Sequence, residues 1–499
     1  MNRKKSLSLN LLIFFLNFSI LGTAGFQDKD RHETWMGLYM QGIKIGHSYL
    51  FKEKIHRDHK EYTRIYSETK MEVSRLGGNP VEMTTAEEFL YDGEDRPVEA
   101  VVKTKMSEQE INVRAKINPD SVVFKMEGKT VKEIPIKEPF YLEVPVKKII
   151  EQKKLKKGAV YDYKILDPMA YSFSDCRYEI LGKEKILILG KSCELWHTRS
   201  RLSSLVPVVA EEWINDKGDL YKSEIQTGFM NITSLKMSQQ KALEKGTGTV
   251  DIALSTIIRT NKEIKNPQQI QSMKMELSGL SEQKIDDFPW DGPSQQLVKK
   301  KEDSFILHTE SVIFHEEEAL CLPIDKKNLE SALKSTLFCQ SDDPDIKATA
   351  EKIVGDEKNS WKAAKKIADW IRNEIKPNYD VGFASSKEIL IKREGDCSEY
   401  TVLFMTLCRS VGIPARANVG IMYGEDFFAY HMWPEVFVGQ WIDLDPKWFS
   451  VDPSSGEYYT DATHIKFGRT ELDENLFKEM VLSASELIGK LNVHIIEYR

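Results

Sequence analysis

Gly395-Asp396-Cys397-Ser398-Glu399-Tyr400, read together with Ala429-Tyr430-His431-Met432-Trp433-Pro434-Glu435-Val436-Phe437-Val438 and Gln440-Trp441-Ile442-Asp443-Leu444-Asp445-Pro446, decides how the last third of the chain folds. After Cys397, the residues Leu403, Phe404, Leu407 and Val411 recur at helical spacing, and Gly412-Ile413-Pro414 stops the helix. Cys397 therefore stands at a helix N-terminus, where unpaired N–H groups and the macrodipole favour a thiolate. Such a position can lower a thiol pKa from about 8.5 into the range of roughly 3.5–7.5. Cys408 lies on the same helix about 16 Å away at ~1.5 Å per residue, too far for a disulfide, and reads as core.

A nucleophilic thiol needs a base. His431 lies in a predicted strand whose alternation sends His431, Trp433, Glu435 and Phe437 to one face. Pro434 marks that strand as an edge or a bulge, because it lacks the N–H a central ladder uses. The next strand carries Asp443 and Asp445, either of which could orient the imidazole. They point the same way, so parity does not choose between them. Cys at a helix start, His on a strand and Asp on the next strand satisfy the logic of a nucleophile, a base and an orienting acid.

Upstream, Ser341-Asp342-Asp343-Pro344 opens a helical stretch. Trp361, Ala364, Ile367, Ala368, Ile371 and Ile375 form the stripe of a second helix, ended at Lys376-Pro377-Asn378 and followed by a loop to Gly395. The four segments around Cys397, Arg409–Arg416, His431 and Asp445 resemble, in order and spacing, the bacterial transglutaminase-like domain. The resemblance begins near Ser341 and runs past Asp461-Ala462-Thr463-His464. It implies a papain-like α+β fold over 341–499, with the nucleophile on Cys397, the base on His431 and the orienting carboxylate on Asp445. It also implies packing or supporting roles for Glu399, Arg416 and Trp433. Lys447 departs from the Thr or Ser that many members carry after Asp-Pro, a change expected to leave the triad untouched.

The rest of the chain reads as β-rich. Gln41-Gly42, Asp92-Gly93 and Asp216-Lys217-Gly218 lie between short alternating segments, as hairpin turns do. Residues 25–240 are expected to form an antiparallel sandwich or open barrel, and 241–340 a small β module and linker with strands at Thr256–Ile258 and Met273–Leu277. No nucleophile and base come together in these regions, so they read as scaffold or binding modules.

Arg3-Lys4-Lys5, the apolar Leu11–Leu21 and the small residues Gly22-Thr23-Ala24 form a secretory signal-peptide pattern over 1–24. Cleavage would remove three basic residues and take the net charge from −7 to −10. The protein is expected to be exported, periplasmic or extracellular, with no integral span after cleavage, since no later apolar run reaches the ~18 residues a crossing helix needs. An acidic balance of 77 Asp and Glu against 70 Lys and Arg argues against nucleic acid as a partner. Outside the cytoplasm Cys176 with Cys193, and Cys321 with Cys339, are open to local disulfides or to burial as free thiols. No CxxC spacing or EF-hand loop appears, so no metal or cofactor is expected. The expected function is a cysteine-dependent amide-bond hydrolase or acyltransferase acting on protein or peptide amides. A second oxyanion donor would come from the loop between Pro377 and Gly395. The alternative is a non-catalytic envelope protein with a vestigial triad, binding a partner through its β modules.

Overall fold

The computed structural model describes residues 32–74, 80–106, 109–126, 128–203, 207–227, 230–246, 248–251, 257–280, 288–290, 292–300, 304–325, 327–378, 384–424, 426–452, 454–473 and 490–499; the leader expected at 1–24 lies outside them. The described residues fall into two compact units, 32–251 and 257–499.

The first unit is built on one antiparallel sheet of 14 strands. Strands that follow one another in sequence lie side by side from His32–Met40 out to Lys129–Pro135, and again from Val160–Asp167 to Met230–Met237. The two runs join where His32–Met40 pairs with Met230–Met237. The end strands Lys129–Pro135 and Val160–Asp167 do not pair with each other, so the sheet is continuous and open. Strict alternation buries Val81, Met83, Thr85, Glu87 and Phe89 on one strand. The short helix Val146–Glu151 sets Val146 and Ile149 against Cys176, Tyr178 and Ile180 in the core. The expected turns form: Gln41 and Gly42 both take positive φ, at 52° and 80°, as a two-residue hairpin turn of the primed type requires.

All six cysteines are free. Cys176 and Cys193 lie on one hairpin, but Cys176 faces Leu202 and Cys193 faces Ile186. At ~3.3 Å per residue they sit about 30 Å apart along the ladder, far beyond disulfide reach. Cys339 is buried and Cys321 exposed, and they too remain thiols.

Among the described residues the second unit contains two two-stranded sheets, Lys376–Pro377 with Glu394–Gly395 and Ser450–Val451 with Tyr458–Tyr459, and two larger ones. One runs Gln295–Lys300, Ser304–Glu310, Ser272–Ser278, Asn492–Tyr498, so strands expected in the middle module share a sheet with the C-terminal strand. The other runs Ile258–Arg259, Phe427–Phe437, Ala415–Gly424, Ile465–Thr470, with Trp441–Asp443 also pairing Phe427–Phe437. Of the strand expected at Thr256–Ile258 only its end is described, as Ile258–Arg259; Thr256 lies outside the described residues. Among the described residues four α-helices accompany these sheets: Pro344–Val354, Ser360–Glu374, Ser386–Lys392 and Cys397–Ser410. The third of them falls within the expected loop to Gly395. Asp343 caps the first, accepting from the N–H groups of Asp345 and Ile346.

The helix Cys397–Ser410 differs from its expected one-sided stripe: every residue from Cys397 to Arg409 is buried. The other three helices and the sheet pack around it. Its polar residues are tolerated because they are paired locally. Thr406 Oγ1 donates to Val402 O at 2.6 Å, and Arg409 donates to the carbonyls of Ala415 and Lys334.

Gly420 lies opposite His431 in the sheet, at a register shift against Ile465–Thr470. A Cβ there would stand 1.9 Å from Ile465 O, a backbone atom that cannot swing aside. Gly420→Ala is expected to destabilise this unit by about 1–3 kcal/mol. Denaturant unfolding checks this, and a variant as stable as wild type would refute the close packing.

Candidate active site

Asp396 caps the helix that begins at Cys397. Its side chain accepts from Ser398 N–H at 3.0 Å, and Glu399 accepts from Asp396 N–H at 2.9 Å, completing a capping box. Glu399 also accepts from Ala384 N–H at 3.1 Å, which ties the preceding segment to the helix start. Burial, with the Asp396 carboxylate beside it, raises the Glu399 pKa well above the usual carboxylate range. Gly395 is needed here, since a Cβ would meet Glu399 Cβ at 2.2 Å.

The strand Phe427–Phe437 is paired along one side by Ala415–Gly424. On its other side, Ile258–Arg259 reaches only Phe427 and Phe428, and Trp441–Asp443 only Glu435 to Phe437. The Met432 backbone therefore points off an open edge, and the nucleophile helix satisfies it. Met432 N–H donates to Cys397 Sγ at 3.4 Å, and Thr401 Oγ1 donates to Met432 O at 3.1 Å. Pro434, with no N–H to leave unpaired, sits on the same edge, which accords with its edge reading.

His431 lies on this strand, buried, with its ring stacked on Trp433 at 5.8 Å. Its Nε2 is 2.5 Å from Asp445 Oδ2, while its Nδ1 is buried with no hydrogen-bond partner. A carboxylate can only accept, so the Nε2 proton points to Asp445 and the Nδ1 lone pair is left available. Burial pushes the His431 pKa below its ordinary value; the Asp445 charge and hydrogen bond oppose this but do not overcome it. Burial and the unengaged Nδ1 thus both favour the neutral form of the ring.

Asp445 is the most heavily engaged carboxylate in the site. Its Oδ1 accepts from Lys447 N–H at 2.9 Å and from Trp448 N–H at 3.2 Å. Its Oδ2 also faces His464 Nε2 at 3.4 Å. Burial alone would raise its pKa, but His431 and His464 hold it well below the ordinary carboxylate value. Asp443 is engaged elsewhere. It accepts from Asn418 Nδ2 at 2.8 Å and Trp433 Nε1 at 3.3 Å, and it pairs with Lys466 Nζ at 2.8 Å. The choice that strand parity left open is thus decided by hydrogen bonds.

With this geometry in view, the comparisons with known proteins place the domain. Residues 347–453 match the family model of the transglutaminase-like superfamily. This segment is transglutaminase-like. Among solved structures, a candidate cysteine protease from Cytophaga hutchinsonii is 17% identical, covering 46% of this chain and 86% of its own, with a TM-score of 0.29. A β-barrel-like protein of unknown function from Brucella abortus is 11% identical, covering 42% and 95%, with a TM-score of 0.32. A candidate protease from Parabacteroides distasonis is 12% identical, covering 85% and 70%, with a TM-score of 0.19. No curated protein matches.

Around the transglutaminase-like site the sequence reading missed several residues. His464 lies beside Asp445, though 19 residues separate them in sequence, and no local spacing marks it. Lys466 and Arg469 approach Glu435 at 3.1 and 3.0 Å; Arg416, for which the resemblance implied a supporting role, hydrogen-bonds the same carboxylate while lying over the Trp441 ring. Lys447 donates its backbone N–H to Asp445, and its Nζ lies 5.5 Å from the Tyr400 ring centroid. Residues 379–383 of the loop expected to supply a second oxyanion donor lie outside the described residues.

Among the described residues, one group has the spacing of metal ligands: His431, Asp445 and His464, with ligand atoms within 4.8 Å of one another. Each nitrogen nearest the carboxylate faces Asp445 Oδ2, so hydrogen bonds link the three side chains. No described helix is long and apolar enough to cross a membrane.

Proposed function

We propose that the transglutaminase-like domain is a cysteine hydrolase or acyltransferase for protein or peptide amides, exported by the leader pattern at 1–24. One observation carries the reading. A buried imidazole is tied at Nε2 to Asp445 and left open at Nδ1, and the next residue donates its N–H to the Cys397 sulfur. An unengaged ring nitrogen on the residue next to the one that touches the sulfur supports a base serving that thiol.

In this mechanism His431 Nδ1 takes the Cys397 proton as sulfur attacks the amide carbon. The helix start at Cys397 offers backbone N–H groups to the oxyanion. The proton held on Nδ1 then passes to the leaving amine as the C–N bond breaks, leaving a thioester on Cys397. Water attacking the thioester, with its proton taken by His431, releases the acid and restores the thiol. An amine in place of water gives transamidation.

Iodoacetamide labelling, with the sites mapped by mass spectrometry, tests the reading. Cys321 is exposed and serves as an internal reference thiol. Cys397 is expected to label faster than Cys321 despite its burial, and to lose that advantage in His431→Ala. Labelling of Cys397 no faster than Cys321 would favour a non-catalytic binding protein.

A further inference from the structure

His464 is buried, and both its ring nitrogens face oxygen acceptors. Nδ1 lies 3.2 Å from Asp461 O and 3.3 Å from Asp461 Oδ1, and Nε2 lies 3.4 Å from Asp445 Oδ2. A ring facing acceptors at both nitrogens has the geometry of a double donor, which favours the imidazolium. Thr463 locks Asp461 from the other side, its N–H and hydroxyl both donating to Asp461 Oδ1, at 2.8 and 2.5 Å. The ring is also held edge-on to Trp433 at 5.0 Å and to His431 at 5.5 Å. It meets the same Asp445 oxygen that faces His431, and the mechanism described above does not use it.

We propose that His464 is a positioning residue for that reaction: a buried imidazolium that pins the Asp445 carboxylate in the rotamer facing His431 and sets the pH range over which the Cys397–His431 pair works. The inference rests on the hydrolase reading. Without a second donor, Asp445 Oδ2 would be held by His431 alone, and turning the carboxylate would break the Nε2 bond that keeps Nδ1 open. With His464 in place, the two rings share the carboxylate between them.

The titratable groups facing this ring are Asp461 on its own turn, Asp445 on the segment after Asp443, and His431 on the strand. Lys466, two residues on, is directed instead to Glu435 and Asp443. The two aspartates outweigh the burial that would discharge the ring and raise the His464 pKa to about 10. Removing one buried positive charge raises the proton affinity of every neighbouring group, so its loss moves both Cys397 and His431 to higher pKa.

The experiment follows the rate of Cys397 alkylation against pH in wild type, His464→Gln and His464→Ala, with circular dichroism confirming the fold. Gln retains an N–H for Asp445 but no charge. The expected result is a profile shifted upward by about one pH unit in His464→Gln, with most of the plateau rate kept, and a lower plateau in His464→Ala. A role confined to folding would lower the rate at all pH values without moving the profile, and an unshifted profile overturns the proposal. If neither variant folds, NMR of histidine-labelled wild-type protein decides: one imidazole is expected to remain protonated above pH 8, and titration of every histidine below pH 8 overturns the proposal. Stoichiometric zinc binding lost in His464→Gln would overturn it in favour of a metal site. Failure of wild-type Cys397 to outpace Cys321 defeats the hydrolase reading itself, so the two failures are distinguishable.

Discussion

Under the proposed mechanism, Asp445→Asn is expected to lower the rate of acylation at Cys397 by about four orders of magnitude, with little change in the fold. Asn keeps the oxygen that accepts from Lys447 N–H and Trp448 N–H, so the turn after Asp445 remains closed. The change falls on the other end of the side chain. Where the carboxylate accepted from His431 Nε2, an amide NH2 donates. That forces the imidazole proton onto Nδ1, the nitrogen that is open in the structure and that the mechanism uses as the base. The wrong tautomer cannot take the thiol proton, although every side chain stays in place. Single-turnover acylation with an activated ester, alongside a thermal unfolding curve, checks the prediction. A variant within tenfold of wild type would show that Asp445 does not set the tautomer.

Glu435→Gln costs about 3–5 kcal/mol of stability, the range for removing one partner of a buried ion pair. Glu435 is buried and approached by Lys466, Arg416 and Arg469. Burial by itself would raise its pKa; the three cations more than reverse this and hold it at about 2. The Lys466 ammonium, equally buried, retains Asp443 after the substitution, while the Arg416 guanidinium loses its carboxylate. The same pairing gives a pH dependence. A carboxylate whose folded pKa lies below its unfolded value contributes stability above the unfolded pKa, near 4.5, and loses it as pH falls toward about 2. Wild type is therefore expected to lose stability over that interval, and Glu435→Gln to lose less of it. Urea unfolding at pH 7 and at pH 3 measures both quantities. Equal acid sensitivity in the two proteins would remove Glu435 from the account.

The elements nearest the site were readable because their signals are local. Asp343 before Pro344 opens a helix, and Asp396 caps the helix of Cys397. Alternation brings His431, Trp433 and Glu435 to one face, where His431 stacks on Trp433 and Glu435 meets Lys466 and Arg469. The turns at Gln41-Gly42 and Asp216-Lys217-Gly218 depend only on which backbone angles their residues tolerate.

Other features depended on distant parts of the chain. The stripe on the helix Cys397–Ser410 understated its burial, because three other helices enclose faces that look amphipathic in isolation. Cys176 and Cys193, one of the two pairs open to a disulfide, were separated by strand register.

Local order in the amino acids was thus enough to place a thiol at a helix start, a ring on a strand edge and two acids on the next strand, since caps, stops and alternation act within a few residues. The hydrogen bonds that hold Asp445 on the ring and Asp443 elsewhere, and the presence of His464 beside them, were visible only in the folded chain. Those contacts join segments many residues apart, and no short window of sequence encodes them.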